Sequence, residues 1–138
     1  MVIEETGQVG RFDRVLVRMS QPSLGRWGEW VALRYLRKRG WDIVARNWKG
    51  KRGELDLVAY DEDCLVFVEV KTRQLPSLLP PEDQITRTKE MMLDLLISEF
   101  TMRYEVFDCP SRLDVIAIET EDWVSYQLRH YIAWETAD

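Results

Sequence analysis

The side chains with the clearest chemical potential lie close together in the middle of the chain: Asp56 in Gly53-Glu54-Leu55-Asp56-Leu57, and Glu69 and Lys71 in Phe67-Val68-Glu69-Val70-Lys71-Thr72-Arg73. Leu65-Val66-Phe67-Val68 reads as a strand covered on both faces. Alternation then sends Glu69 and Lys71 to one side and Val68 and Val70 to the other. Asp56 emerges between Leu55 and Leu57 on a strand continued by Val58, Ala59 and Tyr60, and Asp61-Glu62-Asp63 is short enough for a hairpin turn. Paired strands lie about 5 Å apart, so a suitable register lets Asp56 and Glu69 share one divalent cation beside Lys71. Two carboxylates and an ammonium group so arranged suit metal-assisted hydrolysis of a phosphodiester.

A fourth charged group comes from a helix read from Leu24 to Arg39 and stopped by Gly40. Ala32, Leu33 and Leu36 follow Glu29 at the spacing of a core-facing stripe, which places this carboxylate on the apolar face. A core-facing acid needs an Arg, a Lys or a metal. The alternative is an acid favoured by the dipole at a helix start, and the helix alone leaves both readings open. Gly25 and Gly28 would let this end of the helix approach another backbone closely. A Glu-X-Lys pair is common as a surface pair, but four charged groups converging from separate elements are poorly explained by folding stability.

The elements needed to position these groups follow in order. A strand from Trp41 to Trp48 leaves the helix, and the basic loop Lys49-Gly50-Lys51-Arg52-Gly53 leads into the two site-bearing strands. A Pro-bearing loop from Leu75 to Pro81 precedes a second helix from about Glu82 to Arg103, and strands at Leu113–Glu119 and Trp123–Ile132 close the chain. The result is a mixed sheet flanked by helices. Residues 1–22 show no clear period and read as an N-terminal extension to a domain spanning 23–138.

With 138 residues, 46% of them hydrophobic and 31% charged, the composition is that of one globular domain. No apolar run approaches the roughly 20 residues of a membrane span, and no secretory signal is visible, so a cytoplasmic protein without membrane association is expected. Cys64 and Cys109 stand in no metal-ligand spacing, and the single His130 argues against a Ser-His-Asp triad and reads as structural. The net charge is −5, yet residues 24–53 carry +7, against −4 for 54–81 and −8 for 82–138. A basic block before an acidic strand pair fits a phosphate-binding edge around a cation site. Arg26, Arg46, Lys49, Lys51, Arg52 and Arg73 flank that site in sequence and are the candidate nucleic-acid contacts, although any one of them taken alone reads better as solvated surface.

Taken together, Gly25-Arg26-Trp27-Gly28-Glu29, Ala32, Leu36, Gly40, Arg46-Asn47-Trp48, the Asp56 and Glu69 motifs and, more weakly, Lys89 and Arg112-Leu113-Asp114-Val115 carry a resemblance. Over roughly residues 24–132 the chain resembles the YraN-type family of small bacterial proteins. That family is similar to archaeal Holliday-junction resolvases of the PD-(D/E)XK nuclease superfamily. The resemblance implies a single α/β domain of the restriction-endonuclease type, with a mixed central sheet and helices on both faces. It makes Asp56 and Glu69, with the Val70 carbonyl, ligands for Mg²⁺ or Mn²⁺, Lys71 the catalytic lysine and Glu29 the helix-borne acid. The implied activity is a metal-dependent endonuclease acting on DNA rather than RNA, on branched or recombination intermediates, working as a two-fold homodimer. Trp123, Tyr126, Tyr131 and Trp134 supply apolar material for an interface, or simply for a core. The Leu75–Pro81 loop and the acidic C-terminal half depart from the family pattern. They keep open a non-catalytic nucleic-acid- or partner-binding module on the same fold.

Overall fold

From Leu65 to Val70 every residue is buried, so this strand needs a neighbour on each edge and a helix layer on each face. The computed structural model, which describes residues 1–136, supplies both. Strand β1 (Val2–Gln8) and helix α1 (Arg11–Ser20) come first, then α2 (Leu24–Lys38), β2 (Asp42–Lys49), β3 (Glu54–Asp61) and β4 (Cys64–Gln74). A 3₁₀ turn (Pro81–Gln84) precedes α3 (Arg87–Arg103), β5 (Ser111–Thr120) and β6 (Ser125–Tyr131). These form one α/β domain around a mixed six-stranded sheet in the order β1-β6-β5-β4-β3-β2. Only β4 and β5 pair in parallel, and α3 lies in the crossover between them.

The two cores follow the alternation of β4. Val66, Val68 and Val70 face the α2 side with Trp27, Val31, Ala32, Leu36, Ile116 and Ile118, whereas Leu65 and Phe67 face Leu93, Leu96 and Phe100 of α3. Helix α2 starts where the Ser23 hydroxyl accepts the Arg26 N–H at 3.2 Å and stops before Gly40, which adopts φ +85°. Helix α3 begins later than its apolar pattern suggests. The Thr86 side chain caps it by accepting from the Lys89 N–H at 3.1 Å, and residues 81–84 form their own 3₁₀ turn behind Pro80 and Pro81. His130 is structural, as its isolation in the sequence implies. Fully buried, it joins the Tyr35 hydroxyl at 2.9 Å to Asp114 at 2.8 Å, and Asp114 is further tied to Arg112.

Residues 1–22 are not an extension outside the domain. β1 pairs with β6 along its whole length and forms one edge of the sheet, and α1 is tied to α2 by Asp13 and Arg34 at 3.2 Å. The edge position explains why this was invisible: β1 buries little side chain, so it needs no apolar alternation, and Glu4 and Glu5 protect its free edge. Among the described residues no helix is long and apolar enough to cross a membrane.

Candidate functional site

The site forms where two neighbouring strands separate. β3 pairs with β4 only as far as Leu57 opposite Val68. Beyond that point β4 continues beside β5 to Gln74, while β3 stays with β2 back to Glu54. Asp56 and Glu69 are the first residues past the last rung. Alternation also breaks here: Leu57 belongs to the α2-side core, but Leu55, which a regular strand would put on the same side, belongs to the α3-side core. Opposite Asp56 in the β2–β3 register stands Asn47, whose φ of +50° is rare inside a strand and best tolerated by Asn or Asp. The ribbon therefore turns at Asp56 and leaves its carboxylate in the gap.

Across that gap the Val70 N–H donates to Asp56 Oδ2 at 2.8 Å. The N–H and C=O of one strand residue leave the same edge, so the Val70 carbonyl also faces the gap. Glu69 has a side chain only 4% exposed, and its Oε1 is approached by Lys71 Nζ at 3.5 Å and Lys89 Nζ at 3.7 Å. Its Oε2 is buried and has no partner among the described residues. Burial, and then the charge of Asp56, push the Glu69 carboxyl up to about 7. Burial raises Asp56 too, against the opposing pull of the Val70 N–H. Two buried carboxylates this close cannot both ionise cheaply unless a cation joins them.

Glu29 enters from the α2 side. Burial and the Asp56 charge raise its carboxyl to about 7, Arg26 opposes this from 3.6 Å, and Oε1, which Arg26 approaches, is buried without a hydrogen bond among the described residues. The helix sits this close because of Gly28: a Cβ there would lie 1.8 Å from Thr72 Oγ1. Gly25, by contrast, borders open space and permits no close approach. A hollow of about 170 Å³ joins Glu29 to Arg26, Trp30, Arg46 and Asn47.

The charged residues expected near the site divide into groups. Glu29, Asp56, Glu69, Lys71 and Val70 converge, and Arg26 and Arg46 line the adjoining hollow. Lys49, Lys51 and Arg52 sit on the β2–β3 hairpin, whose loop docks on α3 through the Lys51 N–H and the Glu99 carboxylate at 2.9 Å. Arg73, two residues past Lys71 on β4, lies against the Gln84 side-chain amide, whose oxygen accepts from the guanidinium at 3.1 Å once the amide is turned to meet it. Lys89 and Asn47 stand in the motifs that carry the family resemblance, but the sequence gives neither of them a role at the site. No local pattern shows that Lys89 would face β4, and nothing in the sequence signals the left-handed backbone at Asn47. Among the described residues no three His, Cys, Asp or Glu side chains cluster tightly enough to hold a metal by themselves. The set nevertheless fits a hard cation: it is all oxygen, two of its buried carboxylate oxygens make no hydrogen bond among the described residues, and Mg²⁺ commonly takes one or two carboxylates and keeps several waters.

The mixed sheet layered between α1–α2 and α3, with a charged cluster where its strands part, defines a single α/β domain of the restriction-endonuclease-like type. The model of the family described as "Uncharacterised protein family UPF0102" matches residues 28–118, and the chain belongs to that family. A UPF0102 protein of Geotalea uraniireducens is 36% identical over 113 residues, spanning 82% of this chain and 89% of the relative. Relatives from Caldicellulosiruptor saccharolyticus and Porphyromonas gingivalis are 37% and 42% identical, over 72% and 68% of this chain and 85% and 69% of their own lengths.

Proposed function

We propose that this protein is a Mg²⁺- or Mn²⁺-dependent endonuclease that cuts DNA at branched or recombination intermediates. The observation that carries the reading is the buried Asp56–Glu69 pair at the strand split, with two lysines near one Glu69 oxygen and no hydrogen-bond partner among the described residues on the other. Asp56, Glu69 and the Val70 carbonyl would hold the ion, with Glu29 completing its shell directly or through water. When bound, the ion polarises the scissile phosphate and lowers the pKa of a water nucleophile. Lys71 orients that water or offsets the charge that builds on the phosphoryl oxygens, and Lys89 keeps a second positive charge on the same side. Arg26 and Arg46 line the approach and neutralise flanking phosphates. The test is incubation of the purified protein with linear, nicked and four-way DNA and Mn²⁺. Cleavage that is lost in Asp56→Ala and Glu69→Ala supports the reading; no cleavage, or equal cleavage by both variants, refutes it.

A second reading, a binding module that keeps the fold without turnover, draws on the lack of a tight three-carboxylate cluster among the described residues. Retained DNA binding without a calorimetric Mg²⁺ or Mn²⁺ site would favour it.

A further inference from the structure

Helix α1 is built inside out. Its protein-facing side carries Asp13, 8% exposed and paired with Arg34 of α2 at 3.2 Å, together with the half-buried Val17. Its outward side carries Phe12, Val15, Leu16 and Met19, at the i, i+3, i+4, i+7 spacing of one helix face and 74%, 55%, 46% and 78% exposed. A surface helix ordinarily turns such a stripe to the core. The charge around it is equally one-sided. In a chain of net charge −5, residues 9–41 hold eight Arg and Lys, all exposed, and two acids, Asp13 and Glu29, neither of them exposed. Arg11 and Arg18, which flank the stripe, make no ion pair among the described residues. From outside the two helices, Asp122 acts on Arg14, and Glu5 acts on Tyr35 and Tyr126.

The occupant of this face has to match both its charge and its apolar stripe. A second copy docked through the same face would set these cations against their own equivalents. A DNA duplex would take up the charge, but it presents phosphates and sugars to Val15, Leu16 and Met19, which have no flat ring on which a base stacks. An anionic lipid surface supplies both halves of the match, acyl chains for the stripe and phosphate headgroups for the cations. Trp30 of α2, half-buried with the Arg34 guanidinium 5.2 Å from its ring centre, is a side chain suited to the boundary between the two.

We propose that α1 is a membrane-surface helix that lies in the plane of an anionic bilayer, with Phe12, Val15, Leu16 and Met19 among the upper acyl chains and Arg11 and Arg18 on lipid phosphates. The exposed cations of α2 add attraction at longer range. The expectation of no membrane association rested on the lack of a spanning segment, which a surface-bound helix does not require. None of this depends on the nucleic-acid reading above.

The test is co-sedimentation of the full chain with vesicles of equal parts phosphatidylglycerol and phosphatidylcholine, against vesicles of phosphatidylcholine alone. The anionic vesicles should bind at least about tenfold more tightly at about 0.1 M salt, and the preference should shrink at about 0.5 M. Phe12→Ser with Met19→Ser, both at outward positions, should weaken binding to anionic vesicles by about tenfold or more and leave affinity for duplex DNA unchanged. Arg11→Gln with Arg18→Gln should weaken it about as much and reduce the preference for anionic lipid. Absence of vesicle binding, equal binding to anionic and neutral vesicles, or serine variants that bind like the parent chain overturn the membrane surface. Loss of duplex DNA affinity in the arginine variant, with no vesicle binding by the parent, overturns it in favour of nucleic acid on this face.

Discussion

Replacing Glu69 with Gln should stabilise the metal-free protein at alkaline pH, the opposite of what breaking two ion pairs suggests. Lys71 and Lys89 both approach Glu69, yet burial and Asp56 outweigh them and raise its carboxyl from an ordinary 4.5 to about 7. In the unfolded chain the proton leaves near 4.5; in the folded protein it stays until about 7. Stability is therefore complete below the first value, falls as pH rises between the two, and stays reduced above 7. At about 1.4 kcal/mol per pKa unit the loss approaches about 3 kcal/mol at pH 8 and is about 1 kcal/mol at pH 5. The side chain is 4% exposed, so solvent screening removes little of this. Gln keeps the shape and cannot ionise. Urea denaturation at pH 5 and pH 8 should show Glu69→Gln more stable than the parent chain by a margin that grows with pH. Mn²⁺ at 1,000 times its Kd should reverse the order, because it then stabilises the parent chain by about 4.1 kcal/mol and only where it binds. A variant less stable than the parent at pH 8, or a margin independent of pH, would show that the lysine pairs dominate and that the site is an ordinary buried salt bridge.

Gly28→Ala should cost about 1–3 kcal/mol by driving α2 away from Thr72, and should weaken cleavage with it. Adding Thr72→Gly should restore much of both, as measured by denaturation midpoints and rates on the same substrate. Lys51→Ala with Arg52→Ala should weaken binding to all DNA sequences alike and make the slope of log affinity against log salt shallower by about 1.8, since each phosphate contact contributes about 0.9. A loss confined to one sequence would instead indicate base readout by the hairpin. Light scattering with four-way DNA should show a protein stoichiometry of two copies, each of 16.4 kDa; a single copy would exclude paired cutting by a two-fold dimer.

Much of the site was legible before folding because its signals are local. Alternation along Leu65–Lys71 already put Glu69 and Lys71 on one side, and the covered strand around Phe67 already required helices on both faces. The spacing of Glu29 to Ala32, Leu33 and Leu36 offered an acid on the apolar face beside a helix-start alternative, and the structure keeps its side chain 20% exposed with Oε1 buried. What the sequence could not state is where the β3–β4 ladder stops. Register and strand separation depend on the whole sheet, so only the fold reveals that Asp56 and Glu69 meet at the first unpaired position, or that Asn47 turns left-handed opposite Asp56. Lys89 reaches Glu69 because the Thr86 cap sets the rotation of α3 over β4, a long-range packing outcome with no local pattern. The N-terminal strand was hidden for a related reason. An edge strand borrows its hydrogen bonds from β6 and buries little, so its place in the sheet is decided by a partner more than 100 residues away.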